Sequence, residues 1–305
     1  MATTIKSSDL DFQALKLSLK NYLKADTEFA DYDFDASGLN NILDVLAYNT
    51  HINGLTANFA LNESFLNTSQ LRSSVVSHAE TLGYEVRSRV AAKALLNLSV
   101  NLAGVSGRPA QLQLSKGRQF TTSVDGVSYT FRTLETYFAK DNGSGVYNFL
   151  TTEGSDEIPV HEGEEKTKTF ISGETEERQV FVIPDENIDT KTASVLVYDT
   201  VSSTQFIQYT PLAEASTIDK DTTVFTIREA PNGFYELNFG DGISFGKKPD
   251  PGNKIVVTYL STKGPAANLA DTFTATSDLT VQGINYTLTA VTASEATGGS
   301  FKQSI

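Results

Sequence analysis

The apolar pattern changes period once along this chain, near Ala91, and that change limits the folds open to it. Before it, apolar residues recur at helical spacing. After it, they alternate with polar ones, as on half-buried strands. Proline follows the same division, since all eight prolines lie at Pro109 or later. A proline-free N-terminal third suits helices, because proline removes a backbone donor and clashes with the preceding turn. The expected fold class is α+β: an N-terminal helical segment followed by a β-rich multi-domain body.

Phe12, Leu15, Leu19, Tyr22 and Leu23 predict a first helix, with Asp9 or Asp11 as its cap. The acidic stretch 31–38 reads as a turn. Leu39, Ile42, Leu43, Leu46, Ala47, Tyr48 and Ile52 give a second apolar face, with Ser37 as the expected N-cap. That helix either continues past Gly54 through Leu55, Phe59 and Leu66 or kinks there. Asn67 with Gln70 makes a capping-box pattern for a third helix along Leu71, Val75, Val76, Ala79 and Leu82, and Gly83 stands where a left-handed C-cap falls. Residues 39–66 carry more apolar surface than one isolated helix can hide, with asparagines interleaved. This makes Leu39, Ile42, Leu43, Leu46, Tyr48, Asn49, His51, Phe59 and Leu66 candidates for a partner interface.

Beyond Ala91, Leu96, Leu98, Val100 and Leu102 alternate with polar residues. Asp125-Gly126 between Phe120 and Tyr129 is a hairpin signal. Further strands are expected over 180–183, 193–198, 224–227, 235–239, 255–260 and 279–289. The resulting division is a helical head over 1–90, a β-rich domain with acidic loops over 91–190, a second β-rich domain over 191–297, and a linker over 298–305 toward a further region.

Composition removes several chemistries. The chain has no cysteine, hence no disulfide, thiolate metal site or cysteine nucleophile. Its three histidines, His51, His78 and His161, are scattered; the first two read as packing or interface residues, the third as part of an acidic loop whose carboxylates would raise its pKa. The net charge is −13, with no basic cluster, which argues against nucleic acid as a partner. Residues 151–190 hold 12 acidic against 3 basic side chains. Within them the runs 162–165 and 174–177 read as solvated loops. No apolar run approaches the roughly 18 residues of a spanning helix, so no membrane partner is expected. The first residues lack a signal-peptide core, and synthesis in the cytoplasm is the expectation.

Candidate catalytic groups are sparse. Asp185, Glu186 and Asp189 form an acidic trio, which in a cleft could do acid–base work but reads as a loop between strands. Gly240-Asp241-Gly242 lacks the Walker spacing and too few oxygens surround Asp241 for calcium. A hairpin or bulge with glycines at positive φ is the simpler reading. No Gly-x-Ser-x-Gly elbow occurs. No catalytic residue, cofactor or metal is assigned.

Two stretches together resemble a known family. Phe239-Gly-Asp-Gly-Ile-Ser-Phe-Gly246-Lys-Lys-Pro249-Asp-Pro-Gly252, with strand Ile255–Tyr259 and Gly264, is similar to the signature of baseplate J-like proteins. Leu43-Asp-Val-Leu-Ala-Tyr-Asn-Thr-His51, Asn62-Glu-Ser-Phe-Leu66, Ala79-Glu-Thr-Leu-Gly-Tyr84 and Ile183–Thr190 resemble the gene-product-six type of baseplate wedge protein in contractile-tailed phages. The resemblance implies a non-enzymatic structural subunit in the virion tail baseplate. It implies self-association as a dimer, contacts with other wedge proteins, and hub or sheath-proximal proteins as further partners. It also implies that Phe239, Gly240, Asp241, Gly242, Gly246, Pro249 and Gly252 set shape, and that the subunit transmits conformational change on contraction. Wedge proteins of this type are longer than this chain. A receptor- or glycan-binding fibre module is the alternative, and a hydrolase using Asp185, Glu186 or Asp241 is a third reading.

Overall fold

The computed structural model describes residues 11–173 and 179–304, and the acidic run 174–177 lies outside them. The chain is α+β and divides at Glu85/Val86 into two compact units.

The first unit holds α1 (Phe12–Lys24), α2 (Leu39–Glu63) and α3 (Arg72–Thr81). Asp11 caps α1, accepting the Ala14 N–H at 2.7 Å. Asp9 lies outside the described residues. Helix α2 runs unbroken through Gly54, and Leu66 lies beyond its end. Its N-cap is Gly38, whereas the Ser37 hydroxyl donates back to Phe34 O at 3.1 Å. The capping box at Asn67 and Gln70 does not form. Instead the carboxylate of Glu63, the last residue of α2, accepts the N–H groups of Gln70 (2.9 Å) and Leu71 (3.2 Å), covering the start of α3. With the Ser74 hydroxyl as the larger cause, these bonds hold Glu63 below the usual carboxylate range. Helix α3 ends as its sequence predicts. Gly83 has φ +82°, Gly83 N–H donates to Glu80 O and Tyr84 N–H to Ala79 O, the two bonds of a Schellman motif.

Among the described residues, the second unit contains two large sheets and a two-stranded hairpin. Strands β1 (Lys93–Asn101), β2 (Gln111–Leu114), β3 (Gln119–Val124), β4 (Val127–Thr133), β5 (Tyr137–Asp141), β6 (Val146–Leu150) and β7 (Glu157–Glu162) come first. Then follow β8 (Glu164–Ile171), β9 (Phe181–Ile183), β10 (Ile188–Tyr198), β11 (Phe206–Pro211), β12 (Val224–Glu229), β13 (Tyr235–Phe239) and β14 (Lys254–Ser261). The last four are β15 (Thr274–Ala275), β16 (Leu279–Val281), β17 (Ile284–Tyr286) and β18 (Leu288–Thr297). The Asp125-Gly126 turn joins β3 to β4 with both residues at positive φ, the geometry that matches strand twist in a two-residue hairpin.

Pairing cuts across the linear division at 190/191. The nine-stranded sheet takes β1–β7, β15 and β18, with β18 antiparallel to β1. The seven-stranded sheet takes β8–β14, in the order β8-β14-β10-β11-β12-β13-β9. The second sheet is thus inserted between the first sheet's strands in sequence. Each has its own core, one around Leu96, Phe131, Tyr147 and Phe149, the other around Val195, Tyr235, Leu237 and Val257. The expected strand 279–289 is instead the β16–β17 hairpin and the start of β18.

The insertion is joined through a narrow neck. Gly163 forms one crossing: its N–H donates to Thr130 O, and its carbonyl accepts the buried Arg132 Nε at 3.0 Å. Thr262 forms the other, its N–H donating to Asn187 O. The crossings lie so close that a Cβ on Gly163 would sit 2.9 Å from Ser261 O. Glu162 is buried there and not part of a solvated loop. It accepts the Thr262 hydroxyl (2.6 Å) and the Lys263 N–H (2.9 Å), while burial pushes its pKa up. Its neighbour His161 sits in β7 opposite Lys93, and burial, followed by the Lys93 charge, lowers it to about 4, the reverse of the sequence expectation.

Residues 298–304 do not form a free linker. Ser300 and Val90 exchange both backbone hydrogen bonds, and Gln303 bonds Arg87 through its N–H and through its side-chain oxygen. Gly299 is clasped by the Asn268 side chain.

Candidate partner interface and the Phe-Gly-Asp-Gly turn

Helix α2 presents two different surfaces. Leu43 (3% exposed) and Ala47 are buried within the helical unit, on the helix that packs against α1, and Lys16 on α1 meets Asp44 at 2.5 Å. Leu43 therefore belongs to the core of its own unit, and the interface expectation is corrected there. Ile42, Leu46, Tyr48, Asn49, Phe59 and Leu66 are exposed, and Leu39 and His51 are half-buried. The asparagines divide likewise. Asn58 and Asn62 are buried, with Asn62 Nδ2 donating to Asn58 O and Thr68 Oγ1 to Asn62 O, both at 2.6 Å. Asn49 and Asn53 lie on the exposed side, one turn apart.

The exposed side carries a pattern that the nine candidates only partly captured. Val45 (67% exposed), Tyr48 (60%), Ile52, Leu55 and Phe59 follow one another at spacings of three, four, three and four. That is the 3/4 spacing that a/d positions of a coiled coil have. The five residues cover about 21 Å of helix at 1.5 Å per residue. The spacing is present in the sequence, but a 3.6-residue periodicity also takes in Leu43 and Ala47, which are buried within the helical unit.

The Phe-Gly-Asp-Gly segment is a hydrogen-bonded turn between non-neighbouring strands. It leaves β13, which pairs with β12 and β9, and leads toward β14, which pairs with β10 and β8, so the hairpin reading is corrected. Phe239 packs in the core edge-on to Phe181 and Tyr209. Asp241 Oδ1 accepts the N–H groups of Ile243 (2.8 Å), Ser244 and Phe245 (both 2.9 Å). These bonds, the Ile243 one first, hold its carboxylate below the usual range. The Asp241 and Gly242 N–H groups return to Phe245 O and Gly246 O. Gly240 is needed for space and not for φ, since a Cβ there would lie 2.1 Å from the carbonyl oxygens of Phe245 and Gly246. Gly242, Gly246 and Gly252 do adopt positive φ. Buried Pro249 offers its carbonyl to the Ser172 hydroxyl.

The acidic trio has structural partners. Burial pushes Asp185 up, but Lys166 Nζ at 2.9 Å and the Asn187 N–H outweigh it and leave its pKa lowered. Asp189 is buried, accepts the Ala91 N–H at 2.8 Å, and has its pKa raised by that burial. Glu186 is exposed. Among the described residues no group of three or more His, Asp or Glu side chains could hold a metal ion, and no helix is long and apolar enough to cross a membrane.

The sequence of this chain is similar to that of known proteins. Residues 11–84, the helical unit, match the family model described as "baseplate wedge protein gp6-like, helical domain". Over 304 aligned residues the chain is 30% identical to the baseplate wedge protein gp6 of Enterobacteria phage T4. The alignment takes in 90% of this chain and 42% of that protein, so the chain spans less than half the length of the curated relative to which it is similar.

Proposed function

We propose that this chain is a structural, non-enzymatic subunit of a baseplate wedge in the virion tail of a contractile-tailed phage. The observation that carries the reading is the exposed Val45–Phe59 seam, on the helical unit that matches the wedge-protein family model. An unpaired a/d seam exposes apolar surface to water, and a second helix removes it. The first partner is a second copy of this chain, giving a dimer, and other wedge proteins complete the contacts. Phe-Gly-Asp-Gly then acts as a shape-setting turn, in line with the baseplate J-like resemblance. On contraction the subunit passes on a change in partner contacts.

Sedimentation of the full chain tests this reading. The unaltered chain should form dimers, and the pair Leu55→Asp with Phe59→Asp should sediment as a folded monomer. Dimers that survive both substitutions would place self-association elsewhere.

A further inference from the structure

The two ends of the second unit form a two-stranded ribbon, 87–91 beside 300–303, and this ribbon reaches the inserted seven-stranded domain at three points. The Ser88 hydroxyl lies 2.9 Å from that of Thr190 and accepts the Thr190 N–H at 3.1 Å. The Ala91 N–H donates to Asp189, on β10. Lys302 Nζ meets the buried carboxylate of Glu229 at 2.9 Å and the Gly233 carbonyl at 3.1 Å, and stands 5.1 Å from the centre of the Tyr235 ring.

All three attachments are polar. Among the described residues the two sheets keep separate buried apolar clusters. Domains joined through small polar contacts move relative to one another by default. Space for such motion flanks the neck. A cleft of about 470 Å³ opens beside Val90, Ala91, His161 and Asp189. Another of about 620 Å³ opens beside Arg132, Gly163, Lys166 and Thr262. The neck itself is tied backbone to backbone at Gly163 and Thr262, as a pivot would be.

We propose that the 87–91/300–303 ribbon is a releasable strap, which holds the inserted seven-stranded domain in the orientation seen here and, on losing its three polar attachments, lets that domain rotate about the neck. The chain enters the strap at Val86, directly from the helical unit. A displacement imposed on the helical unit by a partner is therefore delivered to the strap through the backbone. The inference stands on the geometry of the body and does not need the baseplate reading.

The absence of native cysteine makes the test direct. Spin labels on Ser123→Cys in the nine-stranded sheet and Ser202→Cys in the inserted domain, both exposed sites, report the distance between them in the full chain. The strap-intact chain should give one narrow distribution. Ser88→Ala, Asp189→Ala and Lys302→Met combined should broaden it roughly two-fold or add a second distance, with amide protection in both sheets retained. Lys302→Met alone, which keeps the side-chain volume, should give a smaller change of the same kind and serves if the triple variant unfolds. An unchanged distribution in both variants overturns the proposal. So does loss of amide protection in the seven-stranded sheet of the single variant, which would make the strap part of that domain's fold.

Discussion

The Glu162 carboxylate accepts the Thr262 hydroxyl at 2.6 Å across a hundred residues of sequence, and this contact closes the neck between the two sheets of the body. Neither group has an alternative in water, because both are buried. Truncation therefore strands the Thr262 hydroxyl and the Lys263 N–H, and an unmet buried donor costs about 1–3 kcal/mol. Glu162→Ala should cost about 2–3 kcal/mol in urea unfolding and Glu162→Gln, which keeps an acceptor, about 1 kcal/mol. The pH dependence has a definite sign. Burial raises this group above its ordinary 4.5, so the neutral form is favoured in the fold. Its contribution is fully present below 4.5 and is lost as pH rises through the folded value. The glutamine variant should lack that decline.

His161 gives the opposite dependence. Its folded pKa is about 4 against an ordinary 6.5, so the unfolded chain binds the proton more readily. Stability is fully present above 6.5 and falls as pH drops toward 4, by on the order of 3 kcal/mol in total. Unfolding curves between those pH values should show the fall in the unaltered chain and its loss in His161→Gln.

The glycines of the Phe-Gly-Asp-Gly turn should separate by cause. Gly240→Ala drives a Cβ into two carbonyl oxygens at 2.1 Å and should cost about 3 kcal/mol or more. Gly252→Ala meets open space and only a positive φ of 85°, so about 1–2 kcal/mol is expected. Equal losses from thermal unfolding would refute the distinction between space and conformation.

On α2 the two surfaces should respond in opposite ways. Leu43→Ala opens a cavity in the helical unit and should cost about 2–4 kcal/mol of stability. Leu55→Asp lies on the exposed seam and, at dilutions where both chains are monomeric, should change stability by no more than about 0.5 kcal/mol while preventing incorporation into tail particles. Calorimetry and particle composition, measured on the same two variants, check the pair.

What could be read from the sequence was local. Asp11, Gly83 and Asp125-Gly126 act within a few residues of themselves, and each appears where its chemistry predicts. Ser37 and Asn67 fail as caps. Gly38 takes the first position, and at the second Glu63 reaches over from the preceding helix, a tertiary contact that no local pattern encodes. The neck was illegible for the same reason. Glu162 sits in an acidic run that looks solvated, and only the return of the chain at Thr262 buries it. The linear division of the body failed because β18 closes on β1, some 190 residues earlier. The proposed interface was half legible: periodicity placed apolar residues on α2 but could not tell Leu43, which is buried, from Val45, which is exposed.

The central claim, a structural wedge subunit, is tested most directly by quantitative peptide mass spectrometry on purified tail particles from the source, scaled against a known tail protein. The account predicts peptides of this chain at a fixed ratio in every preparation. Their absence from particles, with the chain free in the lysate, would contradict it.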